Sequence, residues 1–510
     1  MYSVPILKGR RRIEVDYSKE DFLSNVSKVI KNTLGSALSI HRNNVDEMEE
    51  IHNQLVGEQS IFKKQRTDSS EINNKEVENH LYPIWRFKTS YIVGRPIQYS
   101  NKGGEDNDDM KYFNRYMDDS KKAMNDINVY GDVYEYGIAH RMLIPADRDV
   151  DIEYESPLKD IYLDSRVTFC CYSSSCEHEL LYSCVIGKKK DIKTGRTSTI
   201  YTIYYTDKSD NCYSYIANSK YEKIEEKREV FKGNPIIEYT ENKYRMGVVE
   251  ILICLQDILN HLDSSQLDDI DQFVEAFLVF MNIDVDLDTD EGQKAWEDHL
   301  KIFRKTRAIV LSSINEQMPA DFKQMTNSLE HTSINAFHSR IKSAMYDIAK
   351  APQASGSVTS GGDTTGARML GNGWESALSD AELATTYLKG SEYEWLKIFI
   401  RECRESTNGK IDKIYPSEIE IKYNINLSDN ALVKTQAISN LYNANMPKDL
   451  ILTAVPILSD KYTSSKAWEE YDRKQKESQN NTAKDSEDVN QDKKVITNND
   501  INDLQNKANA

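Results

Sequence analysis

A chain of 510 residues with 39% hydrophobic residues is long enough for two to four domains of ordinary size, each with a buried core. Lys and Arg number 65 against 82 Asp and Glu, and the formal net charge of −17 opposes tight, sequence-independent binding to nucleic acid. The longest apolar runs, such as 277–281, fall far short of the roughly 18 to 20 residues that span a bilayer, and Val4-Pro5-Ile6-Leu7 ahead of Lys8-Gly9-Arg10-Arg11-Arg12 has the wrong order for a secretory leader, so the expectation is a cytosolic chain without a membrane helix.

The first 40 residues read as an arm with one helix over 21–33, where Phe22, Val26, Val29 and Ile30 share a face. A polar stretch, 67–75, reads as a loop. An apolar-aromatic helix over 77–93 follows, stopped by Gly94 and Pro96. The chain then turns into an extended piece, crosses an acidic solvated loop at 104–109, and forms a helix over 109–131.

Between 134 and 239 the pattern becomes alternating, β-branched and aromatic, as in Thr199-Ile200-Tyr201-Thr202-Ile203-Tyr204 and Tyr213-Ser214-Tyr215-Ile216, which predicts an antiparallel β region. Many of the 30 tyrosines lie here, with the ring on the sheet and the hydroxyl toward water, a packing role rather than base stacking. The seven cysteines read as reduced thiols. Cys170, Cys171, Cys176 and Cys184 crowd around His178, yet adjacent residues on a strand point to opposite faces and no C-x-x-C pair is present, so the spacing argues against zinc.

From 248 a strong helical period runs through Leu252, Leu255, Leu259, Leu262, Phe273 and Phe277; about 28 residues would span ~40 Å. Its other face carries Asp257, Asp263, Asp268, Asp269 and Asp271, read as solvated unless the helix lines something. An insert follows, with a strand over 277–286, a helix over 291–304, a strand over 308–312 and an irregular stretch to 327. The alternating acids Asp284, Asp286, Asp288 and Asp290 suggest a calcium loop ending at Glu297, but Glu291 stands where the loop glycine is needed.

A second helix over 333–349 places Ile334, Phe337, Ile341, Met345 and Ile348 on one stripe, with His338, Arg340, Lys342 and Lys350 opposite. The loop beyond Pro352 contains Gly356, Ser357, Thr359, Gly361, Gly362, Asp363 and Thr364. Gly356 and Gly361 share half of a phosphate-cradle spacing, but Gly362-Asp363 occupies the place of the required Lys-Ser or Lys-Thr, so the loop reads as mobile and not nucleotide-binding. A long helix over 374–405 with Gly390 as a candidate kink, a β-type segment over 415–427, helical runs over 430–442 and 447–458, and a polar tail from 472 complete the chain.

Three segments in this order and spacing resemble the portal proteins of tailed bacteriophages, of the siphophage type: Tyr91-Ile92-Val93-Gly94-Arg95-Pro96-Ile97-Gln98-Tyr99, Ile127-Asn128-Val129-Tyr130-Gly131-Asp132-Val133-Tyr134-Glu135, and the helix into strand from Leu255 to Val279. The resemblance covers roughly residues 80 to 460. It implies an α+β portal fold assembled as a ring, usually of twelve copies: a wing (1–246), stem helix one (247–281), a clip (282–327), stem helix two (328–351), a tunnel loop facing DNA (352–368), a long helix returning to the wing (369–428), a crown (429–471) and a polar tail (472–510). Relatives usually join tunnel loop and helix through a Ser-Gly and small-apolar stretch, where this chain has Gly366-Ala367-Arg368-Met369-Leu370.

On that resemblance the chain is a non-enzymatic conduit for double-stranded DNA at one capsid vertex, without cofactor or metal. Its implied partners are the terminase large subunit, the head-tail connector or adaptor, and the major capsid and scaffolding proteins, with the virion as its final location. Arg368 and Lys350 become channel cations beside the loop, and Phe273, Phe277, Val279, Ile309, Phe337 and Ile341 become candidates for the subunit interface. The excess of acid fits a wall along which DNA must slide, because each firm phosphate contact would have to be broken. Another structural virion component, capsid or tail, is the alternative; a DNA-processing enzyme is disfavoured by the missing lysine and the absence of a two-metal carboxylate pattern.

Overall fold

The computed structural model describes residues 8–65, 72–102, 108–146, 155–190, 195, 197–274, 277–281, 289–306, 321–325, 331–353, 373–406, 410–425, 438–444, 446 and 473. The chain divides into two compact units, one from 49–84 with 249–349, the other from 8–48, 85–248 and the residues after 350. The architecture is mixed helix and sheet. No described helix is long and apolar enough to cross a membrane.

In chain order the elements begin with β1 (Ile13–Val15), α1 (Lys19–Ser24) and α2 (Val26–Val56). Where the sequence predicts one helix over 21–33, the chain breaks at Asn25 and then runs on for 31 residues. Beyond Leu38 the buried stripe passes through the polar His41 and Asn44 before Met48, Ile51 and Leu55, which interrupts the apolar period on which the expectation rests. Next come α3 (Leu81–Val93), β2 (Gln98–Asn101), α4 (Asp108–Asp119) and α5 (Lys122–Tyr136). The expected helix over 109–131 is thus two helices, split where Lys121 takes a left-handed φ of 53°. Gly131 is interior to α5: its carbonyl accepts from Trp85 Nε1 at 2.9 Å, and a Cβ there would stand 3.3 Å from the Trp85 ring.

Strands β3 (Ala139–Pro145), β4 (Leu158–Leu163), β5 (Thr168–Ser173), β6 (Leu180–Lys190), β7 (Thr197–Thr206), β8 (Asn211–Ala217), β9 (Lys223–Lys232) and β10 (Ile236–Tyr239) form the β region. One sheet has the order β1-β5-β6-β7-β8-β9 and another β10-β3-β4. All neighbours are antiparallel apart from β1 with β5, a parallel pair contributed by the arm. The first sheet is covered by α1 and α2: Phe22 lies 5.9 Å from the Tyr182 ring and 5.6 Å from Tyr205, above Cys171, Cys184 and Ile203.

The remaining elements are α6 (Val248–Val274), β11 (Phe277–Met281), α7 (Asp290–Thr306), β12 (Asp321–Met325), α8 (His331–Ile348), α9 (Trp374–Glu405) and β13 (Ile419–Lys422). The strand that pairs with β11 is β12, antiparallel with Phe277 opposite Met325, within the stretch that the sequence gives as irregular. Asp-Phe-Lys-Gln-Met carries too little apolar signal to be read as a strand by pattern. The expected strand over 308–312, the calcium-type acids Asp284 to Asp288, and most of the two late helical runs lie outside the described residues. Ahead of α6 the backbone approaches closely enough to require glycine: a Cβ on Gly247 would fall 2.4 Å from Glu135 O, and one on Gly137 2.3 Å from Arg245 O.

Candidate assembly and channel surfaces

Helix α6 buries a polar row alongside apolar residues such as Leu252 and Leu259. Gln256, Asn260, Ser264 and Asp268 recur every four residues, one row on a helix surface, and all are 2% exposed or less. They face the segment 72–80, which has no regular structure and whose backbone N–H groups therefore need partners from outside the segment. Gln256 accepts from His80 N at 3.0 Å and donates to Glu78 O at 2.7 Å. Asn260 Oδ1 accepts from Gln256 Nε2 at 2.9 Å, while its Nδ2 donates to Gln59 Oε1. Ser264 Oγ accepts from Glu76 N at 2.9 Å. Asp268 accepts from Asn74 N at 2.6 Å and pairs with Lys64 Nζ at 2.8 Å.

For Asp257, Asp263 and Asp268 this corrects the reading of the α6 acids as a solvated face, while Asp271 is exposed as expected. Asp268 is buried and ion-paired, Asp257 accepts from Ser60 Oγ at 2.5 Å, and Asp263 lies 3.4 Å from His338 of α8. A polar row at helical spacing looks the same in sequence whether it meets water or an irregular backbone. Ser265 and Asp271 are exposed, and so are four apolar residues of α6: Ile251, Ile258, Leu267 and Ile270 are 37–44% exposed. A buried polar row beside the buried Val249, Leu252, Ile253 and Leu259, with isoleucines left exposed, is not the pattern of a helix that only faces solvent.

The expected interface residues divide. Phe337 is 37% exposed, with the Arg340 guanidinium 4.8 Å over its ring, whereas Ile341 is 7% exposed and is used in packing within its own unit. Ile348 on the same helix is 50% exposed. Phe273 lies in the last turn of α6, and Phe277 and Val279 lie on β11, where Val279 is in register with Lys323. Ile309 lies outside the described residues, as do Gly356, Ser357, Thr359, Gly361, Gly362, Asp363, Thr364 and Arg368. Lys350 is exposed just past α8, in a left-handed turn with φ 53°.

In the other unit, five charged side chains are sealed between α5, β3, β4 and α9. Lys122 Nζ lies 2.8 Å from Asp126 and 2.7 Å from Glu392; Arg141 pairs with Asp126 and reaches Asp160 at 3.5 Å. Tyr99 and Tyr239 donate to the two oxygens of Glu392 at 2.6 and 2.9 Å, and Trp395 Nε1 donates to Asp160 at 3.0 Å. Burial pushes the Glu392 carboxyl up, but Lys122 and Arg141 overcome it and hold the group at about 2. Asp160 goes the other way, raised by burial against the pull of Arg141. With every member 5% exposed or less, the cluster acts as a pin that seats α9 on the sheet and not as a reactive site. Two of the resemblance segments are part of the same packing: Tyr99 comes from the first, and Val129, Tyr130, Val133 and Tyr134 of the second are all buried.

The crowded cysteines separate as strand alternation requires. Cys171 and Cys184 enter the core under α1 and α2, Cys170 faces the other side with its Sγ 3.7 Å from Ser183 Oγ, and Cys176 is exposed. Burial pushes the thiols of Cys170, Cys171 and Cys184 up. Cys170 does come near His140 and Glu238, but both oxygens of Glu238 are taken by Arg245 at 2.5 and 2.9 Å. A cation there would have to displace the guanidinium.

Among solved structures, the chain is similar to the neck of an empty gene transfer agent particle computed with C6 symmetry, at 12% identity over 74% of this chain and 90% of that one, TM-score 0.41. The neck of the native gene transfer agent particle computed with C12 symmetry is similar at 11% identity over 74% and 89%, TM-score 0.39. No curated protein sequence matches. At that level of likeness the assignment rests on the family profile described as "Phage portal protein, SPP1 Gp6-like", which matches residues 35–484. With most of its length covered by that profile, this chain belongs to the SPP1 Gp6-like family of phage portal proteins.

Proposed function

We propose that copies of this chain close into a ring of twelve, forming the channel through which double-stranded DNA enters and leaves the head at one capsid vertex. The observation that carries this reading is on α6: its polar row is satisfied within the subunit, while Ile251 and Ile258, two turns apart on one face, stay exposed for a neighbour to cover. In a ring, each copy offers one surface to the copy ahead and a different one to the copy behind, so an apolar stripe uncovered in one chain is covered in the assembly.

In this reading α6 and α8 are the stem, 282–327 the clip, 352–368 the tunnel loop with Lys350 and Arg368 at its borders, and 429–471 the crown. The net charge of −17 per copy gives the ring a wall that holds DNA loosely. The ring docks the terminase large subunit during packaging and the head-tail connector afterwards, within a shell of major capsid and scaffolding proteins, and performs no covalent chemistry of its own. Class averages of the purified assembly test the proposal: an open central channel supports it, and a solid disc or a shell patch contradicts it.

A further inference from the structure

A second cluster lies between α6, α8 and the segment 72–80. His338 Nε2 stands 3.5 Å from Glu78 Oε2 and 3.4 Å from Asp263 Oδ1, and one ligand atom from each residue lies within 4.8 Å of the others. These contacts are longer than good hydrogen bonds. His338 Nε2 and Asp263 Oδ2 are buried and make none. Ligand atoms bound to zinc at roughly 2.0–2.2 Å in a tetrahedron stand about 3.3–3.5 Å apart, which is the spacing seen on both sides of the imidazole.

The surroundings favour a cation. The His338 imidazole faces two carboxylates, with His80 Nε2 a further 2.9 Å from Glu78 Oε1, and burial pushes the Asp263 carboxyl up, with Glu78 and Glu76 adding to that push and His338 opposing it. Lys342 donates to Glu78 Oε1 at 2.9 Å and so holds the outer oxygen of that carboxylate, leaving Oε2 directed at His338. Ligands anchored in this way by outer groups are a regular part of metal sites. In the His140, Cys170 and Glu238 cluster a guanidinium takes both oxygens of the carboxylate, whereas Lys342 takes only Oε1 of Glu78.

We propose that Glu78, Asp263 and His338 bind a divalent first-row transition-metal ion, with zinc as the probe, leaving the fourth position to water. The ion ties α6 and α8 to the segment 72–80. Residues 78, 263 and 338 are too far apart in sequence for any ligand-spacing rule to connect them.

The test uses the full chain, stripped with chelator and titrated with zinc chloride. Expected results are one zinc per chain after gel filtration, a zinc-dependent rise in Tm, and X-ray absorption showing only nitrogen and oxygen ligands at about 2.0–2.2 Å. His338→Gln and Asp263→Asn should each weaken binding roughly tenfold or more, whereas changing the exposed His299 to Gln should leave it unchanged. Equal zinc uptake by His338→Gln and the parent, a sulfur shell near about 2.3 Å, or no zinc bound by the parent would overturn the site and leave a protonated histidine bridging two carboxylates. The absorption spectrum of the parent decides the matter even where a variant fails to fold.

Discussion

The two units bury polar groups for different ends. Around Glu392 the charges meet one another: three carboxylates and two cations are enclosed by Tyr99, Tyr239 and Trp395, and α9 is held by ion pairs inside a hydrocarbon shell. Along α6 the polar side chains meet backbone: Gln256, Ser264 and Asp268 satisfy the N–H groups of a segment that has no ladder of its own, while Leu252, Ile253 and Leu259 are buried and Ile251 and Ile258 are exposed. The first arrangement completes a subunit. The second leaves Ile251 and Ile258 exposed on one face, which a neighbouring copy would cover.

The largest effect is expected at the charge cluster. Arg141→Met removes a fully buried cation and leaves Asp126 and Asp160 short of a partner, and chemical denaturation should show a loss of about 3–5 kcal/mol. A change of less than about 1 kcal/mol would mean the cluster contributes shape rather than charge balance.

The same cluster predicts the acid limb of stability. Glu392 is held at about 2, below its ordinary 4.5, so its ionised form stabilises the fold above about 4.5 and that contribution disappears as pH falls from there towards 2. Melting temperatures across that window should fall steeply in the parent and less steeply in Glu392→Gln. Parallel curves would remove Glu392 from the account.

A smaller cost is expected in the α6 row. Gln256→Ala orphans His80 N and Glu78 O, with an expected loss of about 1–3 kcal/mol by denaturant melts. Local hydrogen exchange over 72–80 should rise with it; unchanged protection would show that the segment is held by other contacts.

How much could be read in advance followed from what each element packs against. Helix α9 has the bounds expected from the sequence, and α8 begins two residues before its expected start, because their apolar periods are unbroken. The alternation around Cys170 and Cys171 was equally legible, since strand geometry settles it without knowledge of neighbours. The second half of α2, strand β12 and the α6 row were not. In each of these, polar residues occupy positions that tertiary contacts define, as His41 and Asn44 do in α2 and Asn260 and Asp268 do in α6. Hydrophobicity alone cannot separate Phe337, exposed, from Ile341, buried one turn later.

The central claim, that the exposed Ile251 and Ile258 face of α6 is a subunit contact, is tested most directly by the native mass of Ile258→Asp beside the parent. Ile258 is 40% exposed, so the substitution should cost the single chain less than about 0.5 kcal/mol. The account predicts a parent mass of twelve chains and a folded variant that no longer forms that ring. A variant that assembles at the parent mass would contradict it.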